Sequence, residues 1–489
     1  MAQAYIKSFL PRITPEEAGL PSIQIEKFIA FLKENDLNPH AFILSRWGKV
    51  FAEAYFAPYN RYELQTVYSL SKSFTSSAVG LAIAEGKLHL TDKVVSFFGE
   101  EELPEVVDEK LANLTVRDLL CMGTGQEKEA GRYTENWARG FLKEPIVDEK
   151  SGVVFRYNSM ATYMCAAILK KLGIDVEIYI KEKLLHPLGI YGTRWQRSPQ
   201  DVVTGGWGLS LVPELIIKFG NVLLNGGEWE GKQLLPREYI RMATSKQIDN
   251  SWSYPEDQRA DSDWTKGYGF QFWRCRHNCF RGDGAYGQYC LVSPDTGVVF
   301  AAMDQTNNMQ KILDGFFDLV LLPLQKEPLP KDENAFAHLQ KATESLCALD
   351  PAPSFVANSA AEAKLNGKKL QLDRKQEMAM MSSSLSAMSF SFEPDKLVLT
   401  LDDTQIICGQ GTYEEQKISL PMFSPSGLND LKTFAAYTFE GDTLCIRINV
   451  MELLLDFKLT VDLTGETAKV MLKNRQTAAE PVCWDGVIQ

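Results

Sequence analysis

Ser69 and Lys72 are the residues of this chain whose types and spacing most directly suggest chemistry. They begin and end the tetrapeptide Ser-Leu-Ser-Lys, and the apolar run that follows predicts a buried helix with Ser69 at its N-terminus. Residues three apart share a helix face, so the Ser69 hydroxyl and the Lys72 amine can meet. Unpaired amides and the positive dipole end at a helix N-terminus favour a developing anion. The pattern predicts a serine nucleophile with a nearby base, suited to acyl transfer.

The same tetrapeptide is also compatible with a serine-rich helix cap followed by an ordinary exposed lysine. Tyr157 lies in a short loop just before a second predicted buried helix, where a lone tyrosine normally serves packing. It becomes a catalytic candidate if its hydroxyl lies near Lys72. A phenol close to Lys72 could exist partly as phenolate and take the proton of Ser69. A buried Lys72 with a lowered pKa could instead take that proton directly. The sequence leaves both assignments of the base open.

A glycine-rich stretch, Arg281-Gly-Asp-Gly-Ala-Tyr-Gly-Gln288, is the next candidate for the site. Its glycines allow backbone to approach a ligand closely. If this predicted edge strand flanks Ser69, the amide of Ala285 completes an oxyanion hole with the amide of Ser69. A β-bulge or tight turn without a functional role is the alternative.

Composition limits the classes of partner. The 489 residues carry a net charge of -12, without the clustered Lys and Arg that nucleic acid or an anionic membrane would reward. The N-terminal stretch lacks the pattern of a signal peptide, and no run approaches 18 apolar residues, so we expect a cytoplasmic enzyme. Nine scattered cysteines fit reduced thiols, and the Cys275–Cys279 stretch lacks a fourth ligand for zinc. No G-x-S-x-G motif supports a Ser-His-Asp hydrolase.

Periodicity predicts the elements around these residues. Helices are expected over 21–36, 158–172 and 308–325, with a short capped helix in 113–125. Two strands are expected over 40–56 and three over 267–304, which implies an antiparallel sheet. A Pro-rich, charged break predicts a domain boundary near 328. Beyond a helix at 335–348, alternating strands predict an all-β meander, in which the Ser-Met tract at 378–390 is a loop or edge strand.

Taken together, these motifs resemble those of the serine β-lactamase-like, penicillin-recognising hydrolases, especially the class C β-lactamase and esterase branch. YSLSKSFTS is similar to the S-x-x-K motif of that family, and LTVRDLLCMGTG is similar to its segment after the nucleophile helix. FRYNSMATYM matches the Tyr-x-Asn region, with Ser159 where asparagine is commonest. A further similar stretch at 204–235 extends the resemblance over about residues 10–325.

The resemblance implies a catalytic domain with an antiparallel sheet flanked by helices, in which Ser69 is the nucleophile and Lys72 and Tyr157 relay its proton. The family's third motif aligns with Gly282-Asp283-Gly284, where its cationic residue is missing. Asp283 would repel a substrate carboxylate unless Arg281 compensates. This departure favours an ester or amide without that carboxylate over a β-lactam or a cell-wall peptide.

The sequence therefore predicts an α/β (α+β) serine hydrolase domain over residues 1–328 and a β-rich domain over 329–489. No cofactor or metal is expected, and the substrate is expected to be a small molecule or a short peptide-like compound. The alternatives are a β-lactamase or D-Ala-D-Ala peptidase, and an inactive binding or scaffolding member of the family. The oligomeric state is not indicated. The residues expected to contact substrate are Ser159, Gly282, Asp283, Gly284 and Tyr286.

Overall fold

The computed structural model describes residues 5–132, 134–347, 352–373, 385–419, 429–475 and 480–489. The chain divides into two compact units, Met1–Ala348 and Leu349–Gln489. This division lies beyond the predicted boundary near 328, because helix Glu333–Glu344 belongs to the first unit. Its Leu339 packs in the same apolar cluster as Phe28 of helix Ser22–Glu34.

A six-stranded antiparallel sheet is the centre of the first unit, as the sequence predicts. Its strands are, in spatial order, Trp273–Arg274, Phe280–Gly284, Gln288–Ser293, Val298–Asp304, Pro39–Arg46 and Lys49–Tyr55. The predicted middle strand of the 267–304 region is in fact a hairpin. Tyr286 and Gly287 have φ values of 67° and 97°, so the chain reverses there and Gly284 pairs with Gln288.

Helices cover both faces of this sheet because apolar side chains alternate along its inner strands. Phe42 and Phe300 pack with Phe28 on the face covered by helices Ser22–Glu34, Met309–Phe316 and Glu333–Glu344. Ile43 and Val299 belong to the opposite cluster, which includes helices Ser71–Ala84 and Pro213–Leu224. The helix that follows Ser69 is therefore buried against the sheet.

Further helices complete the first unit, and several of them begin at a residue whose side chain caps the helix. Asn158 accepts hydrogen bonds from the first amides of helix Ser159–Lys171, and Thr115 forms a capping box with Asp118. The Thr115 capping box begins helix Val116–Leu120. The remaining short helices are Glu109–Asn113, Trp137–Lys143, Val176–Ile180 and Arg237–Ala243. No helix in the described ranges is both long and apolar enough to cross a bilayer.

The second unit is a barrel-like β-structure. Its strands in the described residues are Lys369–Leu372, Ala387–Phe392, Lys396–Leu401, Thr404–Gln410, Glu414–Ile418, Leu431–Glu440, Thr443–Val450, Leu455–Asp462, Ala468–Asn474 and Val482–Ile488. Neighbours pair antiparallel, and a parallel pairing of Thr404–Gln410 with Leu431–Glu440 closes the sheet on itself. The predicted all-β character is confirmed. The Ser-Met tract lies outside the described residues up to 384, and its end joins strand Ala387–Phe392.

Candidate active site

Ser69 lies in a single 3-10 turn, Tyr68–Leu70, that leads directly into helix Ser71–Ala84. Tyr68, just before the nucleophile, has a φ of 45°, a conformation that costs a non-glycine residue free energy. The turn is held by Ser71, whose hydroxyl donates to the Tyr68 carbonyl over 2.6 Å and accepts from the Leu209 amide over 3.2 Å. Packing around this turn therefore fixes the direction in which Ser69 is presented.

Lys72 is buried and its Nζ contacts three oxygens. It lies 3.0 Å from Ser69 Oγ, 3.2 Å from Ser159 Oγ and 2.7 Å from the carbonyl oxygen of Gly206. Burial lowers the pKa of Lys72 to about 7. An ammonium donates to all three oxygens, whereas a neutral amine has two donors and a lone pair. In the neutral form, the Gly206 carbonyl can only accept and so takes one of the two N–H groups. For all three contacts to remain hydrogen bonds, one serine hydroxyl accepts the other N–H and the second serine hydroxyl donates to the nitrogen lone pair.

Tyr157 is the third predicted catalytic residue and lies against the same pair. Its ring centroid is 4.8 Å from Lys72 Nζ, and its ring stacks on Trp273 at 5.6 Å. The residue is 39% exposed, but the atoms around its hydroxyl shield that group from water, and this desolvation, together with the negative charge of Asp283, raises the pKa of Tyr157. The phenol therefore keeps its proton at neutral pH, while Lys72 is poised to lose one.

Strand Phe280–Gly284 packs tightly against the segment that carries the nucleophile. A Cβ on Gly284 would overlap the carbonyl oxygen of Val67, and one on Gly282 would overlap Ser73 Oγ. Both positions therefore require glycine for the approach of strand to helix. The predicted contact of Gly282 and Gly284 with substrate stays a prediction. The space beside their Cα atoms is filled by Ser73 and Val67 of this chain, so the close approach explains these glycines without a ligand.

Asp283 lies between these glycines and is paired with Arg281. Both side chains are buried, Arg281 Nε donates to Asp283 Oδ2 over 3.0 Å, and Nη2 lies 2.9 Å from the same oxygen. The guanidinium also lies 4.4 Å from the Trp264 ring centroid and donates to the Asp263 carbonyl over 2.9 Å. Burial raises the pKa of Asp283, and the positive charge of Arg281 opposes that rise. Arg281 thus compensates the charge that the sequence places beside the site.

Ala285, which is exposed, and Tyr286, which is half-buried, form the turn directly after this strand. The Tyr286 ring contacts the Tyr68 ring edge to face at 5.2 Å, and the Tyr286 carbonyl accepts from the Thr306 amide over 3.1 Å. This contact ties the turn to the residue that precedes Ser69. The oxyanion role of the Ala285 and Ser69 amides stays a prediction.

Two residues at the site were missed by the sequence reasoning. The Gly206 carbonyl contacts Lys72, and Glu129 Oε2 accepts a hydrogen bond from the Ser159 amide over 3.0 Å. Gly206 lies in the stretch 204–235, whose similarity to the family was recognised. Nothing in that stretch indicates which of its backbone carbonyls contacts Lys72. Nothing in the local sequence distinguishes Glu129 from Glu127.

The comparison with protein families decides the wider assignment. The Beta-lactamase family model matches residues 28–314, which is more than half of the chain and contains every predicted site residue. The chain belongs to the beta-lactamase family. This match confirms the resemblance and the predicted fold, and a serine hydrolase is what the beta-lactamase family fold implies.

Solved structures agree with membership of the beta-lactamase family at the level of fold. A proposed 6-aminohexanoate-dimer hydrolase from Bacillus anthracis is 18% identical with a TM-score of 0.50, covering 67% of this chain and 90% of its own. A proposed beta-lactamase from Bacteroides dorei is 16% identical with a TM-score of 0.50, covering 61% of this chain and 98% of its own. No curated protein sequence matches the chain.

Proposed function

We propose that this member of the family hydrolyses an ester or an amide through an acyl-enzyme on Ser69, with Lys72 as the general base. The observation that supports this most is the 3.0 Å contact between Lys72 Nζ and Ser69 Oγ, made by a lysine whose pKa burial lowers to about 7. A base with a pKa near the working pH is both deprotonated and basic enough to accept the proton.

The first half-reaction forms a bond between Ser69 Oγ and the substrate carbonyl carbon as the hydroxyl proton passes to Lys72 Nζ. The bond from that carbon to the leaving group then breaks, and the leaving group takes up a proton. Tyr157 suits this delivery, because its phenol keeps its proton and its ring lies 4.8 Å from Lys72 Nζ. It gives its proton to the leaving group and is reprotonated from Lys72. The opposite directions of the two pKa shifts therefore support Lys72, rather than a Tyr157 phenolate, as the base.

The second half-reaction is the reverse with water as nucleophile. Lys72 accepts a proton from the water, the water oxygen bonds to the acyl carbon, and Ser69 leaves with its proton restored. In both steps the carbonyl oxygen gains negative charge, for which the amides of Ser69 and Ala285 are the proposed donors.

The strand beside the nucleophile favours a particular class of substrate. Its cation, Arg281, is buried and engaged by Asp283, so this strand offers an internally compensated ion pair to the site. A substrate whose carboxylate must be held at this strand gains little binding free energy there, because the cation is already paired. This supports a small ester, amide or short peptide-like substrate over a β-lactam.

A fluorophosphonate probe tests the proposal, with intact-mass analysis of the wild type, Ser69→Ala and the matched control Ser96→Ala. Ser96 is an exposed serine far from Lys72 in the sequence, and its hydroxyl donates to the Lys93 carbonyl. We expect one adduct on the wild type and on Ser96→Ala, and none on Ser69→Ala. An unlabelled wild type would favour an inactive binding member, and rapid turnover of a chromogenic cephalosporin would favour a β-lactamase.

A further inference from the structure

Glu129 is an exposed carboxylate directly beside the candidate active site. Its Oε2 accepts from the Ser159 amide at the start of helix Ser159–Lys171, and the Ser159 hydroxyl contacts Lys72. Two consecutive contacts of 3.0 and 3.2 Å thus link Glu129, through Ser159, to the lysine that touches Ser69. Glu129 and Ser69 therefore each contact one member of the same pair of neighbouring residues, Ser159 and Lys72.

The charge of Glu129 is not neutralised within the described part of the chain. No Lys, Arg or His there forms an ion pair with it, and its one hydrogen-bond donor is the Ser159 amide. By contrast, Asp283, the other acidic side chain that acts on Lys72, is paired with Arg281. Glu129 also raises the pKa of Lys72 more than Asp283 does. A negative charge that is both close and available therefore faces the site from this side.

Among the described residues, the cation Arg132 also acts on Lys72 and lowers its pKa, with an effect smaller than that of Glu129. Its guanidinium lies 4.5 Å from the centroid of the Trp207 ring, next to Gly206 in the sequence. The site thus has an arginine on an aromatic face and a carboxylate at the start of a helix. Of these two groups, the Glu129 carboxylate is the one that hydrogen-bonds Ser159, the residue whose hydroxyl contacts Lys72.

We propose that Glu129 is a specificity-determining residue that selects substrates whose acyl group carries a protonated amine a few bonds from the reacting carbonyl. The ammonium donates a charge-assisted hydrogen bond to the carboxylate oxygen that the Ser159 amide leaves available. An acyl group with a carboxylate at that place is disfavoured by repulsion. This inference rests on the proposed acyl-enzyme chemistry at Ser69 and names its substrate class.

Boronic acids test this preference without a known leaving group, because Ser69 Oγ adds to the empty boron orbital as Lys72 takes the hydroxyl proton. Butylboronic and 3-aminopropylboronic acids have the same chain length and differ in an ammonium, while 3-carboxypropylboronic acid carries the opposite charge. The inhibition constant is read from the slowing of fluorophosphonate labelling at Ser69. We expect wild type to bind the amine probe about tenfold more tightly than the butyl probe, as one charge-assisted hydrogen bond provides.

Glu129→Gln keeps an oxygen for the Ser159 amide while removing the charge, and we expect it to abolish the amine preference and to improve binding of the carboxylate probe. Glu127→Gln removes the same charge two residues away and should behave as wild type. If the variant alters the basicity of Lys72, it affects all three probes alike. This effect cancels when the inhibition constant of each charged probe is divided by that of the butyl probe. Equal inhibition by the amine and butyl probes, absence of inhibition by all three, or the same loss in Glu127→Gln would overturn the inference. An unlabelled wild-type Ser69 would instead overturn the proposed function.

Discussion

The two sides of the candidate site are built differently. On one side, which we term the strand wall, strand Phe280–Gly284 packs against the nucleophile segment through two glycines, and its ion pair is buried. On the other, termed the helix wall, Ser159, Gly206 and Glu129 present polar atoms to Lys72 and to solvent. The strand wall fits closely against the segment that carries Ser69, while the helix wall contacts Lys72 and, in the proposed function, tunes that base and faces the substrate.

This difference predicts opposite consequences of mutation. Changes in a close-packed, charge-compensated wall should lower stability first and activity as a result. Changes in the helix wall should alter pKa values and specificity while the fold is kept.

The largest effect is expected for Arg281→Met, which leaves Asp283 buried without its cation. We expect the free energy of unfolding to fall by about 3–5 kcal/mol, as for other buried pairs broken on one side. Urea denaturation of the full chain measures this. The double variant Arg281→Met/Asp283→Leu should recover most of the loss, and a double variant as unstable as the single would show that the pair is not the cause.

Gly284→Ala should have the next largest effect, because its Cβ would overlap the Val67 carbonyl, which is rigid backbone. We expect a loss of about 1–3 kcal/mol in the free energy of unfolding and slower labelling of Ser69, since the turn before it must shift. A variant that labels at the wild-type rate with unchanged stability would show that the strand wall tolerates movement.

Ser159→Ala tests the helix wall and should leave stability nearly unchanged. The Lys72 ammonium loses one of its three acceptors, which destabilises the charged form and lowers the pKa of Lys72 further. The rate of Ser69 labelling should therefore begin its rise at a lower pH than in the wild type, with a change of about tenfold or less in its maximum. Ser159→Thr, which keeps the hydroxyl, should restore the wild-type profile, and an unshifted profile in Ser159→Ala would contradict the role of Ser159.

The smallest effect is expected at Asp304, behind the turn that carries Ala285. This carboxyl packs against Gly287, its Oδ2 lacks a partner among the described residues, and burial raises its pKa well above the ordinary value. The folded protein holds a proton that the unfolded chain releases above about pH 4, so stability falls as pH rises. Asp304→Asn should raise the unfolding midpoint by a few degrees, with a larger gain at pH 8 than at pH 5. An equal gain at both pH values would mean that the charge is not responsible.

Local patterns predicted the parts of the site that are local in the chain. Ser69 and Lys72 are three residues apart, so helix geometry alone brings them together, and Asn158 marks the helix that carries Ser159. The contacts of Lys72 with Gly206 and of Ser159 with Glu129 join distant segments through tertiary packing, which has no period in the sequence. The sequence left a tight turn near Tyr286 open as an alternative to one continuous strand, because the glycines of this stretch fit either, and the structure shows the turn.

The pH dependence of fluorophosphonate labelling at Ser69 tests the central assignment most directly. With Lys72 as the base, the labelling rate should rise as pH increases through the pKa of about 7 to which burial lowers that lysine, and then level off. Tyr157→Phe should keep this rise, because the phenol stays protonated in the same range, and Lys72→Met should abolish it together with most of the rate. A rate independent of pH across that range, or a rise that disappears in Tyr157→Phe and persists in Lys72→Met, would contradict the account.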